Sequence, residues 1–313
     1  MNGLELSERF YSDCVEPMLK TDFPELYPQL ACGLFGSGSE CAGFDDDVSV
    51  DHDFEPGVML LLPEESVVDR QTAFRLERAY AKLRKEFLGY RRGGVAPVGG
   101  ARHGVLRTSD VFTDKVGAAD GVLTVQQWLT VPEHALFEAT NGRIFFDGRG
   151  EVTRIRAGLS CYPEDVRKKK LAGSLLLMAQ AGQYNYARCL RHGETGAAQL
   201  AAYAFVNAAM HTVFLLNGAY MPFYKWRFRA MRALPKLSLL AETMEYLLTT
   251  DNEPSLAASK QDMIEDTAAD VIDELQAQGL TKAICGDLEK HAYSVNDAIE
   301  DGNLRNLHIL AAV

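Results

Sequence analysis

Leu34-Phe35-Gly36-Ser37-Gly38-Ser39, followed by Asp51-His52-Asp53 and the apolar run Val58-Met59-Leu60-Leu61-Leu62, decides how this chain is read. A Gly/Ser-rich turn after an apolar segment brings backbone N–H groups and hydroxyls close to a ligand, the arrangement that suits phosphate oxygens. Two aspartates spaced i, i+2 on an extended strand place both carboxylates on one face. Such a pair can bridge two divalent ions about 3.5–4 Å apart for in-line displacement at phosphorus. A D-x-D is also common by chance, and Asp45-Asp46-Asp47 through Asp53 reads equally as an acidic calcium-binding or solvated loop. The strand that follows and the turn that precedes are what raise the pair above that background.

The segments Leu34–Ser39, Asp45-Asp46, Ser49 and Asp51-His52-Asp53-Phe54 resemble the active-site signature of the polymerase-β-type nucleotidyltransferase superfamily. Within it they are most similar to an uncharacterised nucleotidyltransferase-like family related in plan to the aminoglycoside and lincosamide nucleotidyltransferases. The likeness runs on through Phe145-Phe146-Asp147-Gly148, Tyr162-Pro163, Gln183-Tyr184-Asn185-Tyr186 and Leu215-Leu216-Asn217 to Tyr224-Lys225-Trp226. The chain departs from it at Val50, where relatives often carry a basic residue, and at Met221-Pro222-Phe223.

The resemblance implies metal-dependent transfer of a nucleoside monophosphate from a nucleoside triphosphate, with ATP favoured, to an acceptor, releasing pyrophosphate. Asp51 and Asp53 would hold Mg²⁺ or Mn²⁺. A third carboxylate would complete the set, with Asp147 preferred because it ends an apolar strand, and Asp110 as the rival. Asp147 reads equally as the first residue of a D-G turn, and Asp110 as a helix N-cap. Gly36, Ser37 and Ser39 would contact the phosphates, and Lys225, at a loop-to-helix junction, would neutralise charge on the leaving pyrophosphate. Gln183, Tyr184, Asn185 and Arg188 would line a base or acceptor pocket, or form a polar network between helices. His52 points away from its aspartate neighbours by strand alternation. The other class of protein that these residues fit is a catalytically weak nucleotide-binding interaction protein with the same fold.

With 313 residues, 47% of them hydrophobic, the chain can build a sizeable core. Its 43 acidic against 32 basic residues argue against a generally basic nucleic-acid surface. A small hydroxylated acceptor fits that balance best, with a tRNA end or a protein side chain left open. Basic runs at Arg167–Lys170 and Lys225–Arg232 would dock a limited polyanion or form solvated helix faces. The cysteines at 14, 32, 41, 161, 189 and 285 show no C-x-x-C or zinc spacing and read as free thiols. The N-terminal residues lack signal-peptide features, and no uninterrupted apolar run reaches the roughly 20 residues that span a bilayer. The expectation is a cytoplasmic protein with no membrane partner.

The patterning predicts an α+β chain: a nucleotidyltransferase-like mixed sheet flanked by helices over 1–158, then an all-helical domain over 159–313. In the first part, helices are expected over residues 4–20, 67–88, 125–129 and 132–140. Strands are expected over 31–35, 48–62 with a break at Pro56-Gly57, 104–108 and 143–148, with 152–156 pairing back across the last. Helices are expected beyond over 163–191, 196–217, 225–234, 237–248, 256–278 and 280–301. No long linker separates the parts, which predicts a shared interface.

Overall fold

The computed structural model describes residues 1–47, 55–92 and 103–313. Contacts divide the chain into two compact units, Met1–Gln127 with Val131–Ser160, and Trp128–Thr130 with Cys161–Val313. The first is α+β and the second helical.

In the first unit, helix α1 (Gly3–Phe10) starts on a capping box in which Asn2 and Glu5 exchange hydrogen bonds. It runs through a π-helical turn, Tyr11–Val15, into α2 (Glu16–Asp22). Strand β1 (Ala31–Leu34) leads into the Gly/Ser turn and a short helix α3 (Ser39–Ala42). Then follow β2 (Met59–Leu62), α4 (Arg70–Lys82), a small hairpin of β3 (Glu86–Phe87) and β4 (Tyr90–Arg91), and β5 (Gly104–Arg107). Helices α5 (Thr108–Val116), α6 (Val125–Thr130) and α7 (Glu133–Thr140), strand β6 (Arg143–Asp147) and α8 (Glu151–Leu159) complete the series.

The four-stranded sheet has the order β5-β2-β1-β6. β1 is antiparallel to β2, with Gly33 opposite Met59, and to β6, with Ala31 opposite Asp147 and Leu34 opposite Arg143. β2 and β5 run parallel, Met59 beside Gly104 and Leu62 beside Arg107. Cys32, Leu60 and Leu62 bury one face of the sheet against Leu6, Phe10, Val15 and Leu19 of the N-terminal helices and Leu76 and Tyr80 of α4. The Tyr80 hydroxyl accepts the Val58 N–H at 3.0 Å, tying α4 to the start of β2.

Two expectations in this unit are corrected. Residues 152–156 do not pair as a strand; they lie in α8, where Val152, Ile155 and Leu159 are the buried positions. Their spacing of three and four is the helical period, and period two is absent. The helix expected to reach Leu88 stops at Lys82, because Leu83 is extended and Leu88 and Gly89 take positive φ to turn the hairpin. Phe87 keeps its place in the core from β3, its ring 5.4 Å from Phe10.

The second unit begins with α9 (Glu164–Met178), continues through a π-helical stretch, Ala179–Tyr186, and ends in α10 (Ala187–Arg191). It then builds α11 (Thr195–Leu216), α12 (Arg227–Arg232), α13 (Leu240–Thr249), α14 (Pro254–Ala277), α15 (Leu288–Asp297) and α16 (Gly302–Asn306). The single helix expected over 280–301 is instead a loop followed by α15. His291 holds that loop, one ring nitrogen 2.8 Å from the Cys285 carbonyl and the other 3.0 Å from the Thr281 hydroxyl. Among the described residues, α11 alone is long and apolar enough by length and composition to cross a membrane, and 61% of its most apolar window is buried within the protein.

The basic run of α9 is neither a docking patch nor a solvated face. Lys169 is fully buried, and its ammonium donates to Asn296 Oδ1, Leu307 O and Arg305 O at 2.9, 2.7 and 3.3 Å. Lys170 donates to the carbonyls of Leu129 and Ala312, and Lys168 to that of Ala298. Cations are stabilised by helix-terminal carbonyls, so this run closes off the C-terminal turns of the unit. Burial lowers the Lys169 pKa from its ordinary value.

Candidate functional site

The strand register sorts the candidate residues by end of the sheet. Gly36 follows Leu34 of β1, Glu55 precedes β2, His103 precedes β5 and Asn141 precedes β6, so all four gather at one end. Asp147 is paired with Ala31, three residues back along β1, about 10 Å from that end at the usual strand rise. Asp110 follows Arg107, whose partner Leu62 closes β2 at the same far end.

The Gly36–Ser39 turn is held from below. Asn141 Oδ1 accepts the Gly36 N–H at 2.8 Å, and Asn141 Nδ2 donates to the Gly36 carbonyl at 2.9 Å, so one side-chain amide pairs both the backbone donor and the backbone acceptor of a buried residue. Arg156 from α8 donates to the carbonyls of Ala139, Thr140 and Asn141, and its guanidinium lies 5.2 Å over the Phe35 ring. Phe35 in turn stacks on Phe112 of α5. Gly36 has φ +123°, and a Cβ there would meet the Lys115 ammonium at 3.2 Å. At Gly142, with φ +62°, a Cβ would strike the Leu34 carbonyl at 2.2 Å. Glycine is therefore required at both for the chain to cross the end of β1. On this support Ser37 is exposed and Ser39 half-buried.

Asp51, Asp53 and His52 lie outside the described residues. On one side of them, Asp45 Oδ2 accepts the Gly3 N–H at 2.6 Å, a capping role at the start of α1. On the other, Glu55 Oε1 lies 2.5 Å from His103 Nε2, both largely buried. Gly57 makes room for that imidazole, since a Cβ there would meet His103 Cδ2 at 2.1 Å. Sequence reading singled out neither Glu55 nor His103. The signal available was the further i, i+2 step from Asp53 to Glu55.

Asp147 is not with the turn. Its Oδ2 accepts the Thr153 N–H at 2.7 Å, so the carboxylate serves the first turn of α8. Asp110 is exposed in the first turn of α5. Lys225 is exposed in the second unit, its ammonium 5.1 Å from the Trp226 ring. In that unit Gln183, Tyr184 and Asn185 line one side of an open cleft of about 620 Å³, with Asp287 and Glu289 across it. Gln183 is committed to structure: it donates to Glu265 Oε2 and the Gly286 carbonyl and accepts the Leu288 N–H. Asn217 is likewise spent on Val213 and Lys236. Tyr220 packs edge-on against Tyr162.

Among the described residues no three His, Cys, Asp or Glu side chains are grouped to hold a metal ion. All-oxygen donors such as Asp51 and Asp53 are the hard ligands that Mg²⁺ and Mn²⁺ take, so the pair fits such an ion chemically.

A family profile described as "Domain of unknown function (DUF4037)" matches residues 128–227. The chain is also similar to a solved nucleotidyltransferase-like protein from Exiguobacterium sibiricum 255-15, at 14% identity over 90% of each chain with a TM-score of 0.34, a level that does not establish a common fold. No curated protein matches the sequence.

Proposed function

We propose that this protein is a metal-dependent nucleotidyltransferase that passes a nucleoside monophosphate from an NTP, ATP for preference, to an acceptor and releases pyrophosphate. The observation that carries the reading is the pinned Gly36–Ser39 turn at the end of the central strand. It lies beside the start of β2, the strand into which the Asp51-His52-Asp53 segment leads. Asp51 and Asp53 would hold Mg²⁺ or Mn²⁺, which when bound neutralises phosphate charge and makes the acceptor group more acidic. The turn's share is positioning: a rigid, Asn141-anchored peptide presents the Ser37 and Ser39 hydroxyls to phosphate oxygens without reorganisation.

Asp147 is assigned to helix α8 and taken out of the catalytic set, because its carboxylate is already engaged there. That same placement leaves the third acid unassigned, which is the observation favouring the second reading, a nucleotide-binding protein with little catalytic power. For the acceptor, a small hydroxylated or amine-bearing molecule suits a chain of net charge −11 better than a long polyanion. Incubating the protein with Mg²⁺, α-labelled ATP and fractionated metabolites is expected to move label onto one fraction, with EDTA abolishing the transfer. Binding of ATP without transfer to any small molecule, tRNA or protein would favour the second reading.

A further inference from the structure

We propose that Lys115 is the cation that receives the triphosphate at the Gly36–Ser39 turn, and that Glu138 is the counter-ion it leaves to do so. This deepens the nucleotidyl-transfer reading and rests on it. Helix α5 starts at the far end of the sheet and runs back, so that Lys115 in its last turn arrives beside Gly36. The ammonium lies 3.2 Å from the position a Gly36 Cβ would occupy, so glycine at 36 is what permits cation and turn to approach.

The Lys115 side chain is only 15% exposed, and its ammonium is 3.1 Å from Glu138 Oε2 on α7, itself 22% exposed. A partly buried pair of this kind adds little to stability once desolvation is counted, so fold energy alone does not explain its place against the turn. A lysine has three donors, and Glu138 takes one. A triphosphate brings several negative charges and many acceptor oxygens, against the single charge of Glu138, and charge-assisted bonds to it outcompete one carboxylate. Lys115 would then act as a binding and charge-neutralising group at Gly36, the residue before the exposed Ser37.

The discriminating experiment is calorimetric titration of Mg²⁺-ATP, and separately of tripolyphosphate, into the wild-type chain and into Lys115→Gln, Glu138→Gln and Lys115→Arg, each first checked for folding by circular dichroism. Lys115→Gln is expected to weaken both ligands about tenfold, and Glu138→Gln to tighten both about threefold by freeing the cation. Lys115→Arg, which keeps the charge, is expected to stay within about threefold of wild type, and tightening in Glu138→Gln carries the test if Lys115→Gln does not fold. Opposite signs from the two halves of one ion pair are what a merely structural pair would not produce. Wild-type binding of both ligands with Lys115→Gln and Glu138→Gln unchanged, or shifted in the same direction, overturns this proposal alone. A wild-type chain that binds neither ligand overturns the nucleotide reading, and this one with it.

Discussion

Asn141 bears more of the site than any residue with chemistry of its own. It pairs both the N–H and the C=O of Gly36, and its own carbonyl is in turn held by Arg156. Asn141→Ala leaves a buried N–H and C=O unpaired and is expected to cost about 2 kcal/mol in urea unfolding, with a larger proportional loss of nucleotide affinity. Nothing in the sequence marks this asparagine, because its partner is 105 residues away in the chain. Lys115 was hidden for a different reason: a lysine in an amphipathic helix reads as a surface residue by default, and only the packing of α5 over the sheet puts it beside Gly36. Gly36 itself was legible, since a glycine in an apolar-to-Ser junction has few other uses.

Element by element, the order of strands and helices in the first unit was largely readable, and the ambiguities fall where one residue type serves two ends. Asp147-Gly148 after an apolar strand looks the same whether the acid is catalytic or caps the next helix. The distinguishing residue is Thr153, whose N–H takes up the carboxylate. Asp147→Ala is therefore expected to lower stability by about 1 kcal/mol in a thermal melt while leaving nucleotide binding intact. In the second unit the lysine run of α9 misled for a related reason, since four adjacent basic residues wrap round a helix and only some can face water. Lys169→Met, which removes a buried donor from three part-buried hydrogen bonds, is expected to cost about 2 kcal/mol, the loss being moderated by the charge no longer buried. Urea midpoints of this variant against Lys168→Met, whose ammonium makes a single carbonyl contact, would measure the difference.

Over the whole molecule, acid is expected to act on the helical unit through carboxylates held below their ordinary range. Burial alone would raise the Asp165 pKa, but the N–H groups of Asp301 and Glu300 and the nearby Lys168 prevail and lower it. Hydrogen bonds from Lys236 and Gln278 lower that of Glu274. A depressed carboxylate stabilises the fold fully above its unfolded value of about 4 and loses that contribution as pH falls through the folded one. Thermal midpoints should thus hold steady from pH 7 to about 5 and decline below about 4, and Asp165→Asn should flatten that decline. At this scale the division into an α+β part and a helical part was plain from periodicity, whereas the placing of Asp147 and Asp110 at the end of the sheet away from the Gly36 turn depended on register that no local pattern encodes. The proposed division of roles, metal binding by Asp51 and Asp53 and helix capping by Asp147, is tested most directly by transfer of α-label from ATP in Asp51→Ala, Asp53→Ala and Asp147→Ala proteins. Loss of transfer in the first two with near-wild-type transfer in the third is the result predicted; transfer that survives in Asp51→Ala and Asp53→Ala, or that disappears in a folded Asp147→Ala, would contradict it.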